Sequence, residues 1–109
     1  MSASRLIAFL HGLTADALPP EVSAKARQCL LDALGCGLFG SQQLWSRILR
    51  DEMRSDGGTG MCTVIGQSMT LPAPAAAMCN GTAIHGFELD DLIAASIVHP
   101  AAAVIPAVL

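Results

Sequence analysis

Charge is the scarcest property of this sequence. Only 14% of its 109 residues are Asp, Glu, Lys or Arg, where soluble domains carry about 25%. So little charge leaves surface for a partner subunit or further chain to cover. Basic residues number six, are scattered, and leave a net charge of −3. A nucleic-acid surface needs a basic patch, and the balance argues against one. No C-x-x-C occurs among Cys29, Cys36, Cys62 and Cys79. They read as buried reduced thiols rather than zinc ligands or disulfides. G-x-x-x-x-G-K-[ST] is also missing, and Gly35, Gly37 and Gly40 read as expected packing or helix-ending glycines rather than phosphate binders. The N-terminus "MSASRLIAFLHGL" lacks a convincing signal-peptide core and cleavage site. The longest apolar run, Leu92 to Leu109, is interrupted by Ser96, His99, Pro100 and Pro106. That favours a buried helix over a membrane span. No internal repeat or low-complexity linker is visible.

What the chain does have is helix punctuation. Its length suits one domain or part of one. A first helix is expected from Ser2 or Ser4 to about Leu13, with Leu6, Ile7, Phe9, Leu10 and Leu13 on its apolar face. Pro20 and Glu21 suit the first turn of a second helix running to about Phe39. Its buried stripe would be Val22, Ala26, Cys29, Leu30, Ala33, Leu34 and Gly37. A third helix is expected from Gln43 to about Ser55, with Leu44, Ile48 and Leu49 inward and Arg47, Arg50, Asp51, Glu52 and Arg54 outward. Asp56 to Gly60 reads as a loop, 61–66 as a short extended segment, and "QSMTLPAP" as a turn. Pro72 or Pro74 starts a fourth helix, "APAAAMCNGTAIHGFE", in which Asn80-Gly81 is locally unfavourable, so packing or function must compensate. A last helix opens at Pro100. The fold class expected is all-α, mainly helical, with at most that one extended piece. The chain reaches Leu109 inside an apolar run with no closing Gly, Lys or Arg, which reads as truncation of a longer domain.

The chemistry gathers in "HGFELDDLIAASIVHP". Glu88, Asp90 and Asp91 lie between His85 and His99, inside the most apolar third of the chain. Taken alone, the carboxylates read as a solvated turn capping the next helix, and His99 as a helix-start residue. H-x-x-E-x-D-D also offers metal ligands at short spacing. It is not H-E-x-x-H, and no second histidine lies one helical turn from His85, so no metal is assigned. His11 carries no expected role.

"ARQCLLDALGCGLFGS", "TVIGQSMTLPAPAAAMCNGTAIHGFELDD" and "HPAAAVIPAVL", in that order, resemble the N-terminal part of the MmgE/PrpD family. That family includes 2-methylcitrate dehydratase, cis-aconitate decarboxylase and iminodisuccinate epimerase. The most specific piece is N-G-x-A-x-H-x-x-[DE]-x-D-D followed by H-P. The resemblance implies that residues 1–109 are a partial all-helical domain of a cytoplasmic lyase, homodimeric at full length. It implies Glu88 and His99 as catalytic residues, and His85, Asp90 and Asp91 as shaping the substrate pocket. It implies no cofactor and a small polycarboxylate substrate. Leu92 and Ile93 stand where many members carry Thr or Val, then His.

The implied chemistry is sound on its own terms. A proton moves at a carbon beside a carboxylate, and a base and an acid are needed; histidine serves as either. Dehydration of the 2-methylcitrate type, in propionate metabolism, comes first, with decarboxylation and epimerisation as the family's alternatives. A polyanion also needs cations, and none lies between Gln67 and Leu109. The 109 residues alone are therefore expected to be inactive, with further residues completing the site. A non-catalytic helical interaction module, its poorly charged surface an interface, is the competing class. A membrane-associated protein anchored through Leu92–Leu109 is a third.

Overall fold

Prolines set where the helices begin. In the computed structural model, which describes residues 2–56 and 58–109, helix α2 (Pro20–Gly40) opens with Pro20 at its first position and Glu21 in its first turn. Helix α4 (Ala73–His85) follows Pro72 and carries Pro74 in its first turn, and helix α5 (Pro100–Val108) begins on Pro100. A proline costs nothing there, because the first-turn N–H groups have no partner within the helix. Helices α1 (Ala3–Gly12) and α3 (Leu44–Ser55) complete the α-helices of the described residues, with a single 3-10 turn at Ala15–Ala17 between α1 and α2. Two short strands, β1 (Cys62–Thr63) and β2 (Thr70–Leu71), pair antiparallel with Cys62 opposite Leu71. The all-α class holds, and the extended segment lies where it was expected. Its partner β2 falls in a stretch that reads locally as turn. In the loop expected after α3, Gly57 lies outside the described residues.

Helix α4 is the hub, packed against α2, α3, α5 and both strands. Its small residues let the other helices come close. A Cβ at Gly40 would overlap the Ala83 carbonyl oxygen, and one at Gly81 would stand 2.8 Å from the Ala102 carbonyl oxygen. Two buried clusters result. Ala33, Ile65, Ile84 and Ala101 join α2, α4 and α5. Val64, Leu71, Ala76 and Cys79 join α4 to the hairpin, with Leu49 and Met53 of α3 against them.

Asn80 explains itself by burial. Its Oδ1 accepts the Ile65 N–H at 2.8 Å, and its Nδ2 donates to the Thr63 carbonyl at 2.9 Å. One amide thus satisfies two backbone groups next to β1 and ties the hairpin to α4. Asn80→Ala strands both, and buried unsatisfied groups cost about 1–3 kcal/mol each. We expect a loss of about 2–4 kcal/mol in urea unfolding; a loss below about 1 kcal/mol would mean that water replaces the amide.

Coverage of the apolar faces is incomplete. No residue of α1 is buried, and Leu6, Ile7, Phe9, Leu10 and Leu13 are all exposed. The α2 stripe is covered at Ala33 and Gly37, while Val22, Ala26 and Leu30 remain exposed. In α3, Leu44 and Ile48 are each 61% exposed, contrary to their expected inward position. Leu49 packs against the hairpin cluster. Arg50, expected outward, is half-buried and donates to the Ser41 carbonyl at 3.2 Å. The reason is geometric: neighbours reach α2 and α3 mainly on the side facing α4, with α5 also touching α2. The four cysteines are free. Burial pushes the Cys79 and Cys36 thiols up, with Asp32 and Asp90 adding to the rise at Cys36; both thiols stay protonated and unreactive near neutral pH. No described helix is long and apolar enough to cross a membrane.

Candidate functional site

The packing of α5 on α4 brings the end of one helix to the beginning of the other. His85 is the last residue of α4, and His99 is the residue preceding α5. Between them the chain turns through Glu88, whose φ of 57° is left-handed, and reaches Asp90. A strap follows, closed on itself where the Ile93 N–H donates to the Val98 carbonyl at 2.9 Å. Ile97 within it also has a left-handed φ, 51°, which is rare for a β-branched residue.

Asp90 is the centre of the site. Its side chain is fully buried, while those of His85 and His99 are 44% and 20% exposed. The two Nδ1 atoms lie 3.1 and 3.0 Å from one oxygen, Asp90 Oδ1, and His85 Nδ1 is 3.3 Å from Oδ2. The imidazole centroids are 4.5 Å apart, tilted by 56°. A carboxylate that carries no proton only accepts, and against it each Nδ1 is the donor. That leaves both Nε2 atoms to exchange protons, the arrangement by which a buried carboxylate orients a catalytic histidine. A cleft of about 600 Å³ borders both rings, walled by Thr82, Ile97, Val98 and Ala102 among others. Lys and Arg are absent from its lining.

The five expected residues divide three ways. His85, Asp90 and His99 come together. Asp91 turns to α5, where its Oδ1 accepts the Ala101 N–H at 2.9 Å, and it lines a separate cleft with Lys25 and Asp32. Leu92 and Ile93 border that second cleft as well. Glu88 is exposed, and its side chain makes no hydrogen bond among the described residues. Its backbone N–H closes the turn on the His85 carbonyl at 2.8 Å. Thr82, which the sequence reading passed over, lies three residues before His85 on the same face of α4; helical spacing from His85 was the available signal.

His85, Asp90 and His99 also present three donor atoms within 4.8 Å of one another, the number and kind that a transition metal takes. Short spacing along the chain missed this set because His99 enters from the next helix. The Nδ1–oxygen distances of 3.0–3.1 Å are those of direct hydrogen bonds. For Asp90 to be a ligand together with the two Nδ1 atoms, a metal would have to replace both Nδ1 hydrogens, and among the described residues no partner holds either Nε2 in the way that buttresses an imidazole bound through Nδ1. The trio fits proton handling better than ligation.

The chain matches the MmgE/PrpD N-terminal domain over residues 4–109. It is 37% identical over 90 residues to the cis-aconitate decarboxylase-like protein oryM of Aspergillus oryzae (strain ATCC 42149 / RIB 40), covering 83% of this chain and 19% of that one. Cis-aconitate decarboxylase of Aspergillus terreus is 33% identical over 105 residues, 96% of this chain and 21% of that protein. The Homo sapiens protein of the same name is 33% identical over 98 residues, 89% of this chain and 20% of the relative. The chain thus spans about a fifth of the length of the curated relatives it matches. No solved structure matches it.

Proposed function

Because the chain belongs to the MmgE/PrpD family, we propose that it supplies the proton-handling part of a lyase site for a small polycarboxylate. One observation carries the reading: a buried carboxylate holds Nδ1 of two histidines beside a cleft, leaving both Nε2 atoms free. Among the family's reactions we put decarboxylation of cis-aconitate, or of a close analogue, ahead of dehydration. The relatives that match bear that name, whereas the resemblance in the sequence alone placed 2-methylcitrate dehydration first.

The chemistry asked of the trio is simple. When a carboxyl group leaves as carbon dioxide, the carbon–carbon bond breaks and its electron pair stays on the carbon skeleton. His99, protonated at Nε2, gives that carbon a proton and becomes neutral; His85, 4.5 Å away, passes the next proton in from solvent. Dehydration would use the same pair, one imidazole removing the proton beside the carboxylate and the other protonating the departing hydroxide. The substrate's carboxylates need cations from outside this cleft, since its own lining offers none. The proposal takes no cofactor, a second copy of the chain as partner in a homodimer, and the cytoplasm as compartment.

The test is an assay of the protein as its gene encodes it, with cis-aconitate and 2-methylcitrate offered side by side. We expect carbon dioxide release from cis-aconitate, and a fall of about 10²–10⁴-fold in kcat/KM on His99→Ala. Unchanged turnover in His99→Ala would remove His99 from the chemistry. Absence of turnover on both substrates by the unaltered protein would sink the lyase reading.

A further inference from the structure

Asp90 and Asp91 are adjacent in sequence, yet they grip different parts of the same residue's surroundings. His99 is the residue at which α5 begins, where a Ser, Thr, Asp or Asn would turn its side chain back to accept a first-turn N–H. His99 makes no such bond; its Nδ1 is instead 3.0 Å from Asp90 Oδ1. Pro100 has no N–H to give. The first backbone donor of α5 is therefore Ala101, and its N–H goes to Asp91 Oδ1 at 2.9 Å. A carboxylate there also meets the positive end of the helix dipole.

We propose that Asp91 is the positioning residue for His99: it caps α5 in place of His99, so that the imidazole is free to bond Asp90. Asp91 faces the cleft with Lys25 and Asp32, away from the set that lines the His85–His99 cleft, and touches no reacting atom. The role rests on reading His99 as the proton-handling group, but the capping itself does not. With the cap removed, the first turn of α5 loosens and carries the His99 backbone with it. His85 sits on α4 and keeps its own bond to Asp90. The effect is therefore selective for one histidine of the pair.

The experiment compares Asp91→Ala with Asp91→Asn, whose side-chain oxygen can still accept. Long-range proton–nitrogen spectra report the Nδ1 hydrogens of His85 and His99, and amide exchange reports Ala101. Asp91→Ala is expected to weaken or abolish the His99 Nδ1–H signal, leave that of His85 in place, and speed Ala101 exchange roughly fivefold or more, the factor equivalent to losing an N-cap bond. Asp91→Asn is expected to keep both. Should Asp91→Ala not fold, Asp91→Ser, with its shorter side chain, takes its place with the same His99-selective outcome. The proposal is overturned if His99 is unmoved, if both histidines move alike, or if Asp91→Asn behaves as Asp91→Ala. In the lyase assay Asp91→Ala is expected to lower kcat about tenfold with little change in KM, as positioning requires, and Asp91→Asn to restore it. A wild-type protein without turnover would defeat the proposed function, while the spectra would still decide the link from Asp91 to His99.

Discussion

Replacing Asp90 by alanine is expected to free both histidines in one step and to lower kcat for cis-aconitate by on the order of 10³-fold or more, the scale seen when a catalytic histidine loses the carboxylate that orients it. Asp90 is the shared acceptor, and its side chain has no exposure through which water could take its place. Each ring then loses its tautomer and its orientation together. Removing His85 or His99 alone takes away one participant; removing Asp90 disables two. Asp90→Asn separates the causes. With its amide oxygen in the Oδ1 place it still accepts from His99, but its NH₂ then stands at the Oδ2 position, 3.3 Å from the Nδ1 of His85, and presents a donor to a donor. We expect one histidine to remain anchored and activity to stay well below wild type. The check is kcat together with the histidine nitrogen spectra, on protein shown to be folded by circular dichroism. If both Nδ1 hydrogens persist in Asp90→Ala, the carboxylate does not organise the site.

Gly40→Ala is expected to be the most damaging conservative change to stability, costing about 3 kcal/mol or more. The added carbon would overlap the Ala83 carbonyl, a backbone atom within α4 that cannot rotate aside, so α2 and α4 must move apart. Ala83 lies two residues before His85, so the same displacement reaches the site. Gly35 on the same helix is the control. Nothing lies within 4 Å of a Cβ there, and alanine favours a helix over glycine by about 0.5–1 kcal/mol. Gly35→Ala should therefore raise the urea midpoint while Gly40→Ala lowers it. Equal midpoints for the two variants would refute the close α2–α4 approach.

The helix starts were legible because a proline at a first turn is a local signal. Pro20, Pro72 and Pro100 each mark one within a residue. The family was legible for a different reason: a spaced motif needs no geometry to be recognised. Which apolar residues would be covered was much less so. Leu44 and Ile48 fit an inward face by periodicity, but periodicity says nothing about whether a neighbour arrives, and none covers them. β2 was hidden because two residues of strand carry no pattern of their own; Leu71 is strand by virtue of Cys62 opposite. Asn80-Gly81 looked wrong locally and was right globally, the amide holding the hairpin and the glycine admitting α5.

From the sequence by itself came a mainly helical chain, the starts of its helices, and a short segment dense in histidine and carboxylate. Those follow from local rules of capping and spacing, which depend on residues a few positions apart. The fourth helix, expected to run through Glu88, ends at His85. Only the tertiary structure divided the labour among Glu88, Asp90 and Asp91. Asp90 took both imidazoles, Asp91 took the helix, and Glu88 stayed at the surface. The packing of α5 on α4 through Gly81 carries His99 back to His85, and so selects the one carboxylate buried between them.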